Sequence, residues 1–227
     1  MTPTLFVAGT DTGVGKTRVG VALCKSLRGR GMRVGVLKPA ETGCPDDGPE
    51  DALALREASG CTAPLDVICP YRLPEPLAPA IAATRAGVRI EITRVERCLS
   101  QLRDSHDVVV CEGAGGLLVP FYGNTLTLEW LSTAQLPVLL VGRLGLGTIN
   151  HTLLSVRALR DAGIELIGTI LSETEPACTV AETTNPEVLG GFPEVKLLGV
   201  LPYAASPVLE EPWIERILEA AVQAPRP

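Results

Sequence analysis

Apolar residues along this chain come in short unbroken blocks and do not alternate with polar ones. Residues 5–8, 33–37, 107–112, 137–141, 164–171 and 196–201 each read as a strand of that kind. Between them, 18–30, 52–58, 80–86, 92–104 and about 149–162 carry helical spacing, and 207–222 reads as a closing helix. Strands that are apolar on both faces and separated by helices predict a covered parallel sheet, an α/β fold flanked by helices. Gly31 ends the first helix. Pro39 stops the second strand, because it has no N–H for the ladder. A polar loop covers residues 41–51. Pro70, Pro74, Pro76 and Pro79 make 70–79 an extended segment that lines a site or an edge. No repeat or low-complexity linker interrupts the chain, so 1–227 is read as one domain, with residues 223–227 loose.

The turn after the first strand is Gly9-Thr10-Asp11-Thr12-Gly13-Val14-Gly15-Lys16-Thr17, and a helix follows it. Strand, glycine-rich loop, Lys-Thr and helix occur in the order of a phosphate-binding loop, which makes the expected fold P-loop NTPase-like. Backbone N–H groups over Thr12, Gly13, Val14 and Gly15 are expected to hold phosphate oxygens. Lys16 is expected at the outer phosphates and the Thr17 hydroxyl on Mg²⁺. One irregularity stands out: the motif's first glycine position holds Thr10, with Gly9 one place early.

Ligands of such sheets bind beyond the carboxyl ends of the strands. Lys38, Glu112 and the stretch 142–150 are all expected there. Glu112, beside a phosphate loop, suits a metal bridging β- and γ-phosphates. For Asp51, at a predicted helix start, capping and metal binding both remain open. Lys38 can neutralise charge developing on a transferred phosphoryl group or its acceptor. Thr42 either orients a substrate or shapes the 41–43 turn. Asn150 reads as part of a helix start whose free N–H groups can hold a carboxylate.

Composition removes several function classes. With 26 acidic against 20 basic residues the net charge is −6, and no basic cluster offsets its repulsion of nucleic acid. No apolar run is long enough for a membrane span, and the first strand begins too early to leave room for a targeting leader, so the cytoplasm is the expected location. Seven cysteines with no C-x-x-C pair fit a reducing compartment, and Cys24, Cys98 and Cys111 read as core residues. His106 and His151 lack the neighbours of a zinc site.

Taken together, these stretches resemble the dethiobiotin synthetases. The likeness rests on residues 9–17, Lys38-Pro39 with Thr42-Gly43, Asp51-Ala52-Leu53-Ala54-Leu55, Pro70-Tyr71 with Glu75-Pro76 and Pro79, Glu112-Gly113-Ala114-Gly115-Gly116, and Gly147-Thr148-Ile149-Asn150-His151. The resemblance implies an enzyme that closes a cyclic urea on 7,8-diaminononanoate with CO₂ (or bicarbonate) and ATP, through a phosphorylated carbamate. It implies catalytic roles for Lys16 and Lys38, and Mg²⁺ on Thr17, Asp51 and Glu112. Nucleotide contacts are implied at Thr12, Gly13, Val14, Gly15, Gly115, Ser172, Pro202, Tyr203 and Ala204. Substrate contacts are implied at Lys38, Thr42, Gly147, Thr148 and Asn150, with a homodimer in which the 145–150 loop reaches the partner's substrate.

Two positions depart from the family. Ser172-Glu173 stands where many members place Asn-Asp to read adenine, so base selection is expected to be relaxed. Gly13 stands where some members carry Glu. A partition-type P-loop ATPase switch is the rival reading; such switches carry a second lysine early in the loop, where this chain has Asp11. An amidotransferase-type corrinoid synthetase would need a glutaminase domain, for which the chain has no room. Lys38→Ala is expected to keep the fold and most nucleotide binding while losing turnover by orders of magnitude.

Overall fold

A computed structural model describes residues 2–175, 179–203 and 208–223. β1 (Thr4–Gly9) leads into α1 (Lys16–Gly29) and β2 (Val34–Leu37). The short β3 (Glu41–Thr42), α2 (Glu50–Ser59), α3 (Leu65–Ile68), β4 (Arg72–Leu73), α4 (Pro79–Arg85) and α5 (Ile92–Ser105) follow. Next come β5 (Val108–Gly116), β6 (Pro120–Tyr122), β7 (Thr125–Leu126), α6 (Thr127–Ala134) and β8 (Val138–Arg143). The chain then passes through α7 (Thr148–Asp161), β9 (Leu166–Ser172), α8 (Val180–Gly190), a 3₁₀ turn (Pro193–Val195), β10 (Leu197–Leu201) and α9 (Glu211–Gln223).

Six strands form one sheet in the order β10-β9-β8-β1-β5-β2, with every pairing parallel. In β1, Leu5, Phe6, Val7 and Ala8 are all buried although successive side chains point to opposite faces. Both faces are therefore covered, as the unbroken apolar runs predict. Full burial of each large apolar side chain contributes about 1.5–3 kcal/mol. α1 turns Val19, Ala22, Leu23 and Leu27 inward, a spacing of three and four residues that keeps them on one stripe. α1 packs on α2, α5 packs on β2 and β5, and α7 packs on β8 and β9.

The structure corrects several boundaries. β5 does not stop at Glu112 but runs on to Gly116, with a register shift against β1 between Val7 and Gly9. Glu112 is thus inside the strand, and the glycines after it are strand residues. The extended 70–79 segment supplies β4, which pairs in parallel with β3. α9 begins at Glu211, not at 207. Residues 224–227 of the tail lie outside the described residues. No helix among the described residues is long and apolar enough to cross a membrane.

The sheet order fixes where the site lies. β1 sits between β5, on the side toward β2, and β8, on the side toward β9 and β10. The crevice beyond the carboxyl end of β1 lies where the strand order changes direction, and it opens onto the glycine-rich loop.

Candidate functional site

The loop between β1 and α1 wraps around Lys16. Its Nζ donates to the Asp11 carbonyl at 3.0 Å. The displaced glycine is explained here: a Cβ on Gly9 would stand 2.7 Å from the Asp11 carbonyl and 2.9 Å from Lys16 Nζ. Position 9, one place before the motif's usual glycine, is where the lysine crosses the backbone. Gly15 caps α1 in the left-handed region, with φ of 90° and no side-chain cap. No acidic residue occupies the first turn, so the amino end of α1 keeps its partial positive charge for an anion.

A cavity of about 360 Å³ opens beside this loop, lined among others by Thr12, Gly13, Gly15, Lys16, Thr17, Lys38, Thr42, Asp51 and Gly115. Val14 is buried beneath the loop, and Glu112 is 0% exposed behind the cavity floor. Lys38, 2% exposed at the end of β2, donates to Asp51 Oδ2 and to Glu112 Oε1, both at 2.6 Å, and to the Gly113 carbonyl at 3.3 Å. Burial works against its ammonium, but Glu112 and Asp51 outweigh this and hold its pKa above the ordinary lysine value. Burial likewise opposes ionisation of Asp51, yet Lys38 and the Thr17 hydroxyl leave that carboxyl below its usual range. Lys16 moves the other way: burial first, then repulsion from Lys38, lowers its pKa. Lys38 and Glu112 are buried while the Asp51 side chain is 41% exposed, so two lysines and two carboxylates gather where the core meets the cavity.

Glu41 plays a part that its position in the sequence does not suggest. α2 has Pro49 at its N-cap and no side-chain cap of its own. The Glu41 carboxylate reaches across to accept from the Asp51 and Ala52 N–H groups, both at 2.9 Å. Burial raises its pKa while those two N–H bonds pull it down. Asp51 is held by this distant cap and faces Lys38, so the acid at the helix start does not act as the cap.

The donor set suits Mg²⁺. Thr17 Oγ1 lies 2.7 Å from Asp51 Oδ1 and 2.8 Å from Glu112 Oε1. A hydroxyl has one proton to donate, so one of those contacts sets lone pairs against a carboxylate oxygen unless a cation joins them. Glu112 Oε2 is buried with no hydrogen-bond partner among the described residues. No group of three His, Cys, Asp or Glu side chains placed to hold a metal ion is found among the described residues. Two carboxylates and a hydroxyl are what Mg²⁺ takes when waters and phosphates complete its shell.

Ser172, at the end of β9, is fully buried under the loop; a Cβ on Gly15 would fall 2.5 Å from its Oγ. Sequence reasoning missed Arg18. Its guanidinium donates to Ser172 Oγ at 3.1 Å, to the Glu173 carbonyl and to the Pro202 carbonyl at 2.9 Å. It also lies 5.4 Å from the centre of the half-exposed Tyr203 ring. The Tyr203 N–H donates to Glu173 Oε2 at 2.7 Å. Ala204 lies outside the described residues. Gly147, Thr148 and Asn150 head α7 and do not line the 360 Å³ cavity. Among them Thr148 is buried and Asn150 exposed.

Comparison with known proteins follows the same lines. A family model described as an AAA domain matches residues 3–210. The ATP-dependent dethiobiotin synthetase BioD of Anaeromyxobacter sp. (strain K) is 41% identical over 219 residues, covering 96% of this chain and 98% of its own. The protein of the same name from Bacillus velezensis is 37% identical over 198 residues, or 87% of this chain and 85% of its own. Among solved structures, the MinC:MinD cell division protein complex of Aquifex aeolicus superposes with a TM-score of 0.55 at 13% identity, over 97% of this chain and 94% of that one. That likeness shows the fold alone, a parallel sheet of the P-loop NTPase kind.

Proposed function

The chain belongs to the family of ATP-dependent dethiobiotin synthetases, and from that premise we propose how its residues divide the work. It is a cyclo-ligase of biotin biosynthesis that uses ATP to form the ureido ring. We assign 7,8-diaminononanoate and CO₂ as the other substrates. One amine takes up CO₂ as a carbamate, a carbamate oxygen attacks the γ-phosphorus, and ADP leaves. The second amine then attacks the carbamate carbon, phosphate leaves, and the ring closes.

The observation that carries this assignment is the convergence of Lys16, Thr17, Lys38 and Asp51 on one cavity, from the start of α1, the end of β2 and the start of α2. Every reacting group is anionic, so the site must supply cations and N–H dipoles. Lys16 and the N–H groups of Thr12, Gly13, Val14 and Gly15 would hold the phosphates. Gly115 lines the same wall. Mg²⁺, held by Thr17, Asp51 and Glu112, would when bound neutralise charge on the β- and γ-phosphates. Lys38 would hold the carbamate. All three of its donors are engaged, so it must release one, and the 3.3 Å bond to the Gly113 carbonyl is the longest and weakest. Thr42, on the cavity wall, would contact the diamine.

The substrate's carboxylate tail would meet the start of α7, at Gly147, Thr148 and Asn150, on a second copy of the chain, where the Thr148 N–H must first leave the Gly145 carbonyl to which it donates at 3.3 Å. Leu146, at the tip of that loop, is 87% exposed. We place the reaction in the cytoplasm. Adding diaminononanoate and bicarbonate to enzyme, Mg²⁺ and ATP should release phosphate only when all are present. Equal release without the diamine would favour a partition-type switch.

Base selection is expected to be loose. Ser172 is sealed under Gly15, and the Pro202 carbonyl and the Tyr203 ring are already met by the Arg18 guanidinium, so none of the three offers a base a paired amide donor and acceptor. The missing hydrogen bond is worth about tenfold or less, so kcat/KM for CTP and GTP should lie within about tenfold of that for ATP. A preference for ATP of several hundredfold would reject this.

A further inference from the structure

A second cavity, of about 630 Å³, lies beside the amino end of β2, away from the phosphate loop, between the ends of α2 and α5. Cys61, just past α2, lines it and is 5% exposed. Its N–H donates to Ser59 Oγ at 3.1 Å, and its Sγ lies 3.5 Å from His106 Nε2. The neighbours of the imidazole decide its tautomer. Nδ1 is 2.9 Å from the Leu102 carbonyl, which can only accept. It is also 2.9 Å from Ser105 Oγ, whose proton goes to the Gln101 carbonyl at 2.9 Å. Nδ1 therefore carries the ring proton, and Nε2 faces the thiol as an acceptor.

Nucleophile, base and a carbonyl that orients the base thus stand in series on the cavity wall. Two guanidinium groups share that wall. Arg33 is paired with Asp107 at 2.6 Å. Arg28 has no ion pair among the described residues and lies over Gly60, where an added Cβ would be 3.1 Å from its Cζ. The synthetase reaction uses none of these groups.

We propose that Cys61 is a thiol modification site, with His106 as its base, for small disulfides that carry carboxylates. His106 Nε2 takes the thiol proton, and the Cys61 sulfur attacks one sulfur of the disulfide. The old S–S pair leaves on the other half as a thiolate, which takes up the proton. Cys61 is left in a mixed disulfide. The incoming disulfide is itself the oxidant, and Arg28 pairs with its carboxylate.

The intact chain should be treated with dithiobis(nitrobenzoate), a dicarboxylate, and in parallel with the uncharged dithiodipyridine. Labelling is then followed cysteine by cysteine by peptide mass spectrometry. Cys61 should react at least about tenfold faster than Cys98, which is equally buried but directs its thiol at the Asp66 carbonyl and not at an imidazole, and His106→Gln should slow Cys61 about tenfold or more with both reagents. Arg28→Ala should slow the dicarboxylate alone. Phosphate release at native rate in both variants confirms that they are folded. Labelling of Cys61 no faster than of Cys98, or equally fast in the His106→Gln variant, overturns the proposal. So does an Arg28→Ala variant that treats the two reagents alike.

Discussion

Lys38→Ala should lower kcat by about a hundred- to a thousandfold, because the charge developing on the carbamate and the moving phosphoryl group loses its preorganised cation. The structure adds a second effect that sequence reasoning alone did not anticipate. Glu112 is 0% exposed, and Lys38 is its counterion at 2.6 Å. Removing one partner of a buried pair leaves the other charge unsolvated, at a cost of about 3–5 kcal/mol. The variant should therefore melt well below the native chain in the absence of metal, where sequence reasoning alone expected the fold to be kept. Mg²⁺ with ADP, which would bind only the folded form, should recover much of the difference. Steady-state phosphate release and thermal denaturation with and without Mg²⁺–ADP measure the two effects separately. A near-native kcat would refute the catalytic role, and an unchanged metal-free Tm would refute the ion-pair argument.

Gly15→Ala is the second large effect. The residue sits at φ of 90°, where an L side chain costs about 1–2 kcal/mol. The new Cβ would also lie 2.5 Å from Ser172 Oγ and 2.9 Å from Ser172 Cβ, both in a fully buried strand residue that cannot step aside. We expect a loss of at least about 2 kcal/mol in urea denaturation and a nucleotide Kd raised at least about tenfold as the loop moves off its geometry. Ser172→Gly removes both clashing atoms, so the double variant should regain part of the loss. A coupling of about 1 kcal/mol or more is expected between the two sites. Additive effects would show that the clash is not the cause.

How much of this could be read from the chain depends on how local the cause is. The phosphate loop and the unbroken apolar strands are local patterns, and Lys16, Thr17, Lys38, Asp51 and Glu112 do converge, although Glu112 lies inside β5 and not at its tip. The cap that Glu41 places on α2 was illegible, because the helix start offers only Pro49 and the acid belongs to a separate strand. Arg18 was missed for the same reason: its partners Ser172 and Pro202 are 154 and 184 residues away. β6 and β7 are too short to show a period. α8 carries Pro186 in its interior, which reads as a break. Its Asn185 nonetheless donates to the Gly145 carbonyl at 2.8 Å and ties α8 to the loop before α7.

The sheet order bears on how the chain is made. β1 leaves the ribosome well before both its neighbours, which are encoded at Val108–Gly116 and Val138–Arg143. Among the described residues β2 pairs in the sheet with β5 alone. A nascent chain halted before β5 therefore carries its nucleotide grip on an unpaired ribbon, open to chaperones and unable to hold a triphosphate.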